Sequence, residues 1–228
     1  MVNRGMTLAL DAAAGPGTIA VLRDGAVVVE RTIGMRSAAE ERFFPAVLEA
    51  LAAAKVTTRD LSRVVAGAGP GSFTALRVVG AIAKGICEGT GCDLYGVPSL
   101  ALIVAGTPAT ASGGRFLATL DALRGERYSA LVVIAPGGAV SAIEPLGLIA
   151  VDALEARAAA LGATRIGPDE ALAESPHARG VARCWDSVLA GGPVDLASWE
   201  PVYGRLAEAQ VKWEAAHGRA LVAERHAT

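Results

Sequence analysis

The residues best suited to chemistry form a glycine-rich turn, Gly67-Ala68-Gly69-Pro70-Gly71-Ser72-Phe73-Thr74, joining an apolar strand to a helix, with Arg77 one turn further in. Glycine permits positive φ and close backbone approach, and Ser72 or Thr74 is placed to cap the helix. Unpaired amides at such a helix start, together with the positive end of the helix dipole, suit an anion such as phosphate. The same composition also serves a turn that only packs tightly against a neighbour. Gly69, Pro70, Gly71, Ser72, Thr74 and Arg77 are therefore read either as a phosphate-binding turn or as a structural elbow. The segment lacks the GKS or GKT ending of a Walker loop, and Lys84 lies deep in the helix, which disfavours an ordinary P-loop nucleotidase.

Other catalytic constellations find little support. His177, His217 and His226 are the only histidines and no two stand at i and i+4, so a helical histidine pair holding a metal is not expected, and His177 reads as a solvated loop residue. Ser72 sits in GPGSF rather than GxSxG, with capping or packing as its expected task. Glu40 and Glu41 are adjacent and point to different sides of a helix. Cys87 lies well inside an apolar helix, where a buried thiol is inert. No catalytic residue and no metal site is assigned.

Composition narrows the classes further. The chain has 228 residues, 52% of them hydrophobic and 19% charged, which excludes a disordered chain. A net charge of -2 gives no basic footprint for autonomous nucleic-acid binding. Cys87, Cys92 and Cys184 are odd in number and lack CxxC spacing, which points to a reducing compartment rather than a disulfide scaffold or zinc site. The short apolar run near the N-terminus stops at Asp11, and longer apolar runs are broken by glycine, proline or charge. No signal peptide and no membrane span is expected, and the predicted location is the cytoplasm.

The elements that must position the turn follow from periodicity. Residues 6–12, 18–24 and 26–34 read as three strands of a meander, with turn signals at Gly15-Pro16-Gly17 and Asp24-Gly25. A capping-box pattern from Ser37 to Glu40 opens a helix to Lys55, with Phe43, Phe44, Val47, Leu48 and Leu51 as its apolar stripe. A strand at 63–68, the glycine turn, a helix from Phe73 to Glu88, a strand at 93–97 and a helix from Ser99 follow. Roughly 110 residues after the first meander a second one recurs, at 115–122, 127–134 and 139–144, with a helix over 152–161, a strand near 163–166, a helix over 178–189 and a last helix over 205–225. Asp11 and Asp121 each end the first strand of a half.

Two such units predict an α/β, duplicated ribonuclease-H-like fold of the actin, sugar kinase and chaperone ATPase type, in two lobes. In ATP-using members the first hairpin resembles DxGxT. Here Asp11 is followed by AAAGPGT, and Asp121 by ALRGE without a hydroxyl, so neither hairpin looks like a working phosphate loop.

The blocks LALDAAAGPGTIAVLRDG, ERFFPAVLEAL, AGAGPGSFTALRVVGAIAKGI, GVPSL, LDALRGERYSALV and PVYGRLAEAQVKWE, in this order from residue 7 to about 214, resemble the TsaB (YeaZ) family of bacterial tRNA threonylcarbamoyladenosine (t6A) synthesis. The resemblance implies a noncatalytic scaffold that pairs with a TsaD-type catalytic paralogue for N6-threonylcarbamoylation of adenosine 37. A TsaE-type ATPase completes the assembly. It implies tRNA contact only through the complex, no cofactor of its own, a nucleotide at the partner boundary as an open option, and self-pairing when the chain is alone. It also implies an N-terminal lobe of residues 1–105 plus 201–228, a C-terminal lobe of 106–200, and a heterodimer interface on the first two helices. On those helices Phe43, Ala46, Val47, Ala50, Ala53, Ala75, Val79 and Ile82 are the expected partner-binding residues, because small and apolar side chains run around more of each helix than one buried stripe requires. This chain departs from many relatives at Ala75, commonly glycine, and at Ala39-Glu40, commonly His-Ser or His-Thr. An ATPase or phosphotransferase of the same fold class is the alternative, and a glycopeptidase lacks the metal-ligand spacing it would need.

Overall fold

A computed structural model describes residues 5–34 and 42–203. The capping-box segment at Ser37 to Glu40, the 205–225 helix, His217 and His226 lie outside the described residues.

The first sheet is built from β1 (Met6–Asp11), β2 (Gly17–Arg23), β3 (Ala26–Ile33), β4 (Leu61–Gly67) and β5 (Asp93–Val97), in the order β3-β2-β1-β4-β5. Its meander pairs antiparallel and β1, β4 and β5 run parallel. The second sheet repeats this plan: β6 (Gly114–Asp121), β7 (Glu126–Ile134), β8 (Val140–Ile143), β10 (Thr164–Gly167) and β11 (Leu172–Ala173) stand in the order β11-β10-β6-β7-β8. The additional strand β9 (Gly147–Ala150) pairs with β7. The two halves thus share one strand order, as the duplicated ribonuclease-H-like fold expected from the sequence requires.

Strand alternation divides the core. Leu8, Leu10, Ile19, Val21, Val64 and Ala66 face one way and pack with α1 (Phe43–Ala53) and α2 (Phe73–Thr90). Their neighbours Ala9, Ala20, Leu22 and Val65 face α3 (Ser99–Gly106) and the second sheet. The first sheet is covered on both faces, so its central strands read as nearly continuous apolar runs. All eight residues of α3 are buried. Arg183 donates to the carbonyls of Ala105 and Thr107 at 3.1 and 3.0 Å, satisfying acceptors at the end of that helix.

Three expectations change in the second half. Residues 178–189 do not form one helix: Ala178–Ala182 is a 3-10 turn, and α5 spans Trp185–Gly191. Gly180 lies so close to the end of α3 that a Cβ there would stand 2.7 Å from the Gly106 nitrogen, and this approach dictates the tight turn. The helix expected over 152–161 begins as a 3-10 turn and becomes α4 only at Leu154–Leu161. Neither β9 nor the two-residue β11 was expected, since each is too short to show a period and exists through its pairing partner. Residues 194–203 run back along the first sheet, where Val194 donates to the Leu94 carbonyl at 2.8 Å and Val202 to that of Ala68 at 2.7 Å.

Candidate functional site

The glycine turn is closed by backbone packing. Gly67 ends β4 opposite β1, and a Cβ on it would stand 1.8 Å from Asp11 Oδ2. Gly69 adopts a left-handed φ of 83°, followed by a cis bond to Pro70. A Cβ on Gly71 would lie 2.2 Å from the Ala13 carbonyl oxygen, so glycine lets the turn rest directly on the first hairpin. Ser72 N–H donates to that same oxygen at 2.7 Å, and Gly69 N–H donates to Ser99 Oγ at 3.1 Å. These two amides are engaged within the protein rather than turned toward an anion. The Ser72 side chain caps α2 by accepting from Ala75 N–H at 3.5 Å. Thr74 is exposed, and Arg77 lies with its guanidinium carbon 5.2 Å from the Phe73 ring centroid, next to Tyr203, rather than reaching into the turn.

Asp11 is the buried centre of this junction. Its Oδ2 accepts from Ser99 Oγ at 2.6 Å and its Oδ1 from Ala13 N–H at 2.9 Å. Burial outweighs both hydrogen bonds and pushes the carboxyl up to about 6. Folded Asp11 therefore holds its proton at pH values where the unfolded chain, titrating near 3.8, has lost it. The resulting stability is fully present below about pH 4 and is lost as pH rises through about 6, a fall of about 3 kcal/mol. Asp11→Asn should flatten that part of the profile in urea titrations across this range. An unaltered slope would place the pH dependence elsewhere.

Asp121, the counterpart in the second half, has a different setting. It is exposed and pairs with Arg127 at 3.2 Å, and Arg127 also meets Asp169 at 2.7 Å. Burial distinguishes two aspartates that the sequence pattern equated. His177 is half-buried rather than solvated: its Nδ1 accepts from Arg179 N–H at 3.1 Å, and burial together with the Arg179 charge lowers its pKa.

On the outer face of the first lobe, α1 and α2 turn out differently from the sequence reading. Phe43, Ala46, Val47, Ala50, Ala75 and Val79 are buried in the chain's own core, each 3% exposed or less, and cannot meet a partner in this fold. Of the expected partner-binding residues only Ala53, exposed, and Ile82, half-buried, keep access to solvent. The outward row is instead Phe44, Leu48 and Ala52 on α1 and Phe73, Arg77, Ala81 and Gly85 on α2. Phe44 and Leu48 remain 44% and 45% exposed. Phe44, Ala81, Ile82, Gly85 and Gly89 line an open apolar groove of about 500 Å³, with Arg59 at its margin. Added Cβ atoms at Gly85 and Gly89 would meet nothing within 4 Å, so absent side chains leave the groove open. The signal for this face was present in Phe43-Phe44: residues about 100° apart on a helix cannot both face one sheet.

Among the described residues no three His, Cys, Asp or Glu side chains group as a metal site would require, and no helix is long and apolar enough to cross a membrane.

Comparisons with known proteins agree with this geometry. A family model described as TsaD, tRNA N6-adenosine threonylcarbamoyltransferase, matches residues 35–146, a span that includes both outer helices. The tRNA threonylcarbamoyladenosine biosynthesis protein TsaB of Escherichia coli is 32% identical over 121 residues, 53% of this chain and 52% of that protein. The protein of the same name from Bacillus subtilis is 30% identical over 124 residues, covering 54% of this chain and 53% of that one. An uncharacterized protein of Mycobacterium tuberculosis is 41% identical over 123 residues, 53% of this chain and 56% of its own length. The chain thus spans about half the length of the curated relatives it matches. In structure, YeaZ from Pseudomonas aeruginosa superposes with a TM-score of 0.68 at 21% identity, over 87% of this chain and 99% of that one. Sequence segments and fold thus make the chain similar to the TsaB (YeaZ) proteins, over about half of its length in sequence and most of it in structure.

Proposed function

We propose that this chain is a noncatalytic scaffold subunit of a cytoplasmic complex that makes N6-threonylcarbamoyladenosine at position 37 of tRNA. It docks through the outward faces of α1 and α2 onto a TsaD-type catalytic paralogue. The observation that carries the reading is the exposed apolar groove between Phe44 and the Ala81, Ile82, Gly85 side of α2, on the two helices that the resemblance to the TsaB family implies as the heterodimer surface. A half-exposed phenylalanine beside small residues gives a partner helix an anchor and a close approach. The engaged Asp11 carboxylate and the packed glycine turn support a structural rather than a phosphate-handling role for the cleft side.

In this reading the partner-binding lobe comprises residues 1–105 with 201–228, and residues 106–200 form the other lobe. A TsaE-type ATPase joins the pair, tRNA is met only by the complex, and any nucleotide sits at the partner boundary rather than in this chain alone. Without its paralogue the same face pairs with a second copy. The deciding experiment reconstitutes the catalytic paralogue, threonylcarbamoyl-adenylate and tRNA with and without this chain, then analyses the nucleosides. Modified adenosine should form only when both subunits are present. Its formation by this chain alone, or in full by the paralogue alone, removes the scaffold reading.

A further inference from the structure

The C-terminal end of α2 brings together two of the three cysteines. Gly91 adopts a left-handed φ of 74° while its N–H bonds the Cys87 carbonyl at 2.8 Å. This reversal folds the chain back until Cys92 Sγ lies 3.4 Å from Cys87 Sγ. Thr90 braces the loop, donating from Oγ1 to the Ile86 carbonyl at 2.8 Å and accepting from Cys92 N–H at 3.4 Å. Cys87 is buried and Cys92 half-buried, so Cys92 is the member of the pair with access to solvent. The third cysteine, Cys184, is buried in the other core cluster.

We propose that Cys92 and Cys87 form an oxidation site that reacts with hydroperoxides and closes into an intramolecular disulfide. The two thiols have distinct parts. Cys92 is the stronger acid, because the contact with the Cys87 sulfur favours its thiolate, while the same contact and burial push Cys87 up. The Cys92 thiolate attacks one peroxide oxygen; the O–O bond breaks, hydroxide leaves and takes up a proton, and Cys92 becomes a sulfenic acid. The Cys87 sulfur then attacks the Cys92 sulfur, forming the S–S bond as the hydroxyl departs with the Cys87 proton as water. Two thiols are oxidised and one hydrogen peroxide is reduced to two waters. The site stands on the sulfur geometry and is independent of the docking role proposed above.

The test treats the intact protein with hydrogen peroxide at neutral pH, counts thiols after denaturation and maps tryptic peptides. Cleavage after Lys84 and Arg115 leaves both cysteines in one peptide, residues 85–115. Two of the three thiols should disappear, that peptide should lose the mass of two hydrogens, and dithiothreitol should restore it. Cys92→Ser should keep both remaining thiols under the same treatment. Cys87→Ser should accumulate a Cys92 sulfenic acid that dimedone traps. Because Cys87 is buried and its replacement risks the fold, the half-buried Cys92→Ser variant decides the question by itself. Survival of all three thiols, loss of Cys184 first, interchain linkage, or oxidation of Cys87 in Cys92→Ser at the wild-type rate would each overturn the proposal.

Discussion

Phe44→Glu and Ala81→Glu should each weaken binding of the TsaD-type subunit by about 100-fold or more while the isolated chain stays folded. Both side chains are exposed on the outer helices, so a carboxylate at either position is hydrated in the free subunit. Docking would then strip that water and leave a charge without a partner, a cost of about 3 kcal/mol or more. Ala50→Glu, by contrast, should act on the fold: Ala50 is fully buried against the first sheet, and an unpaired carboxylate there costs about 4 kcal/mol of stability. Calorimetric titration and urea unfolding separate the two effects. Native affinity in both Phe44→Glu and Ala81→Glu would show that this face is not the docking surface.

Gly71→Ala should destabilise the protein by about 3 kcal/mol. The added Cβ would meet the Ala13 carbonyl oxygen and carbon at 2.2 and 2.7 Å, both backbone atoms that no rotamer change can move away. Relief requires lifting the turn from the first hairpin, which also breaks the 2.7 Å hydrogen bond from Ser72 N–H to Ala13 and disturbs the start of α2. Gly85→Ala is the matched control, since its Cβ meets nothing within 4 Å and alanine is the better helix former by about 1 kcal/mol. The expected result is a lower urea midpoint for Gly71→Ala at unchanged slope, and no loss for Gly85→Ala. Equal stability of the two variants would mean that the turn is not held against Ala13.

Much of the architecture was legible because its causes are local. Short apolar runs bounded by turn signals locate β1 to β5, and similar runs locate β6, β7 and β8 roughly 110 residues on. The duplication could be read from sequence for the same reason. Less legible were β9 and β11, whose four and two residues carry no usable period and are strands only through pairing with β7 and β10. The 178–189 segment misled in another way. Its composition suits a helix, yet the contact between Gly180 and the end of α3 imposes a 3-10 turn first.

For the candidate site the division is sharper. Sequence alone determined that the outer helices carry more apolar surface than one sheet needs, and that residues 67–74 bend through glycine at a helix start. Those features depend on residue type, spacing and backbone freedom, which are properties of a short segment. Only the tertiary structure decided that Phe43, Ala46, Val47 and Ala50 point inward while Phe44 and Leu48 point out. It likewise decided that Asp11 is buried while Asp121 is exposed, and that the glycine turn rests on Ala13. The physical reason is that a helix with apolar residues on several sides has no intrinsic inward face. The sheet it covers, and the distant backbone that comes to lie against it, choose one.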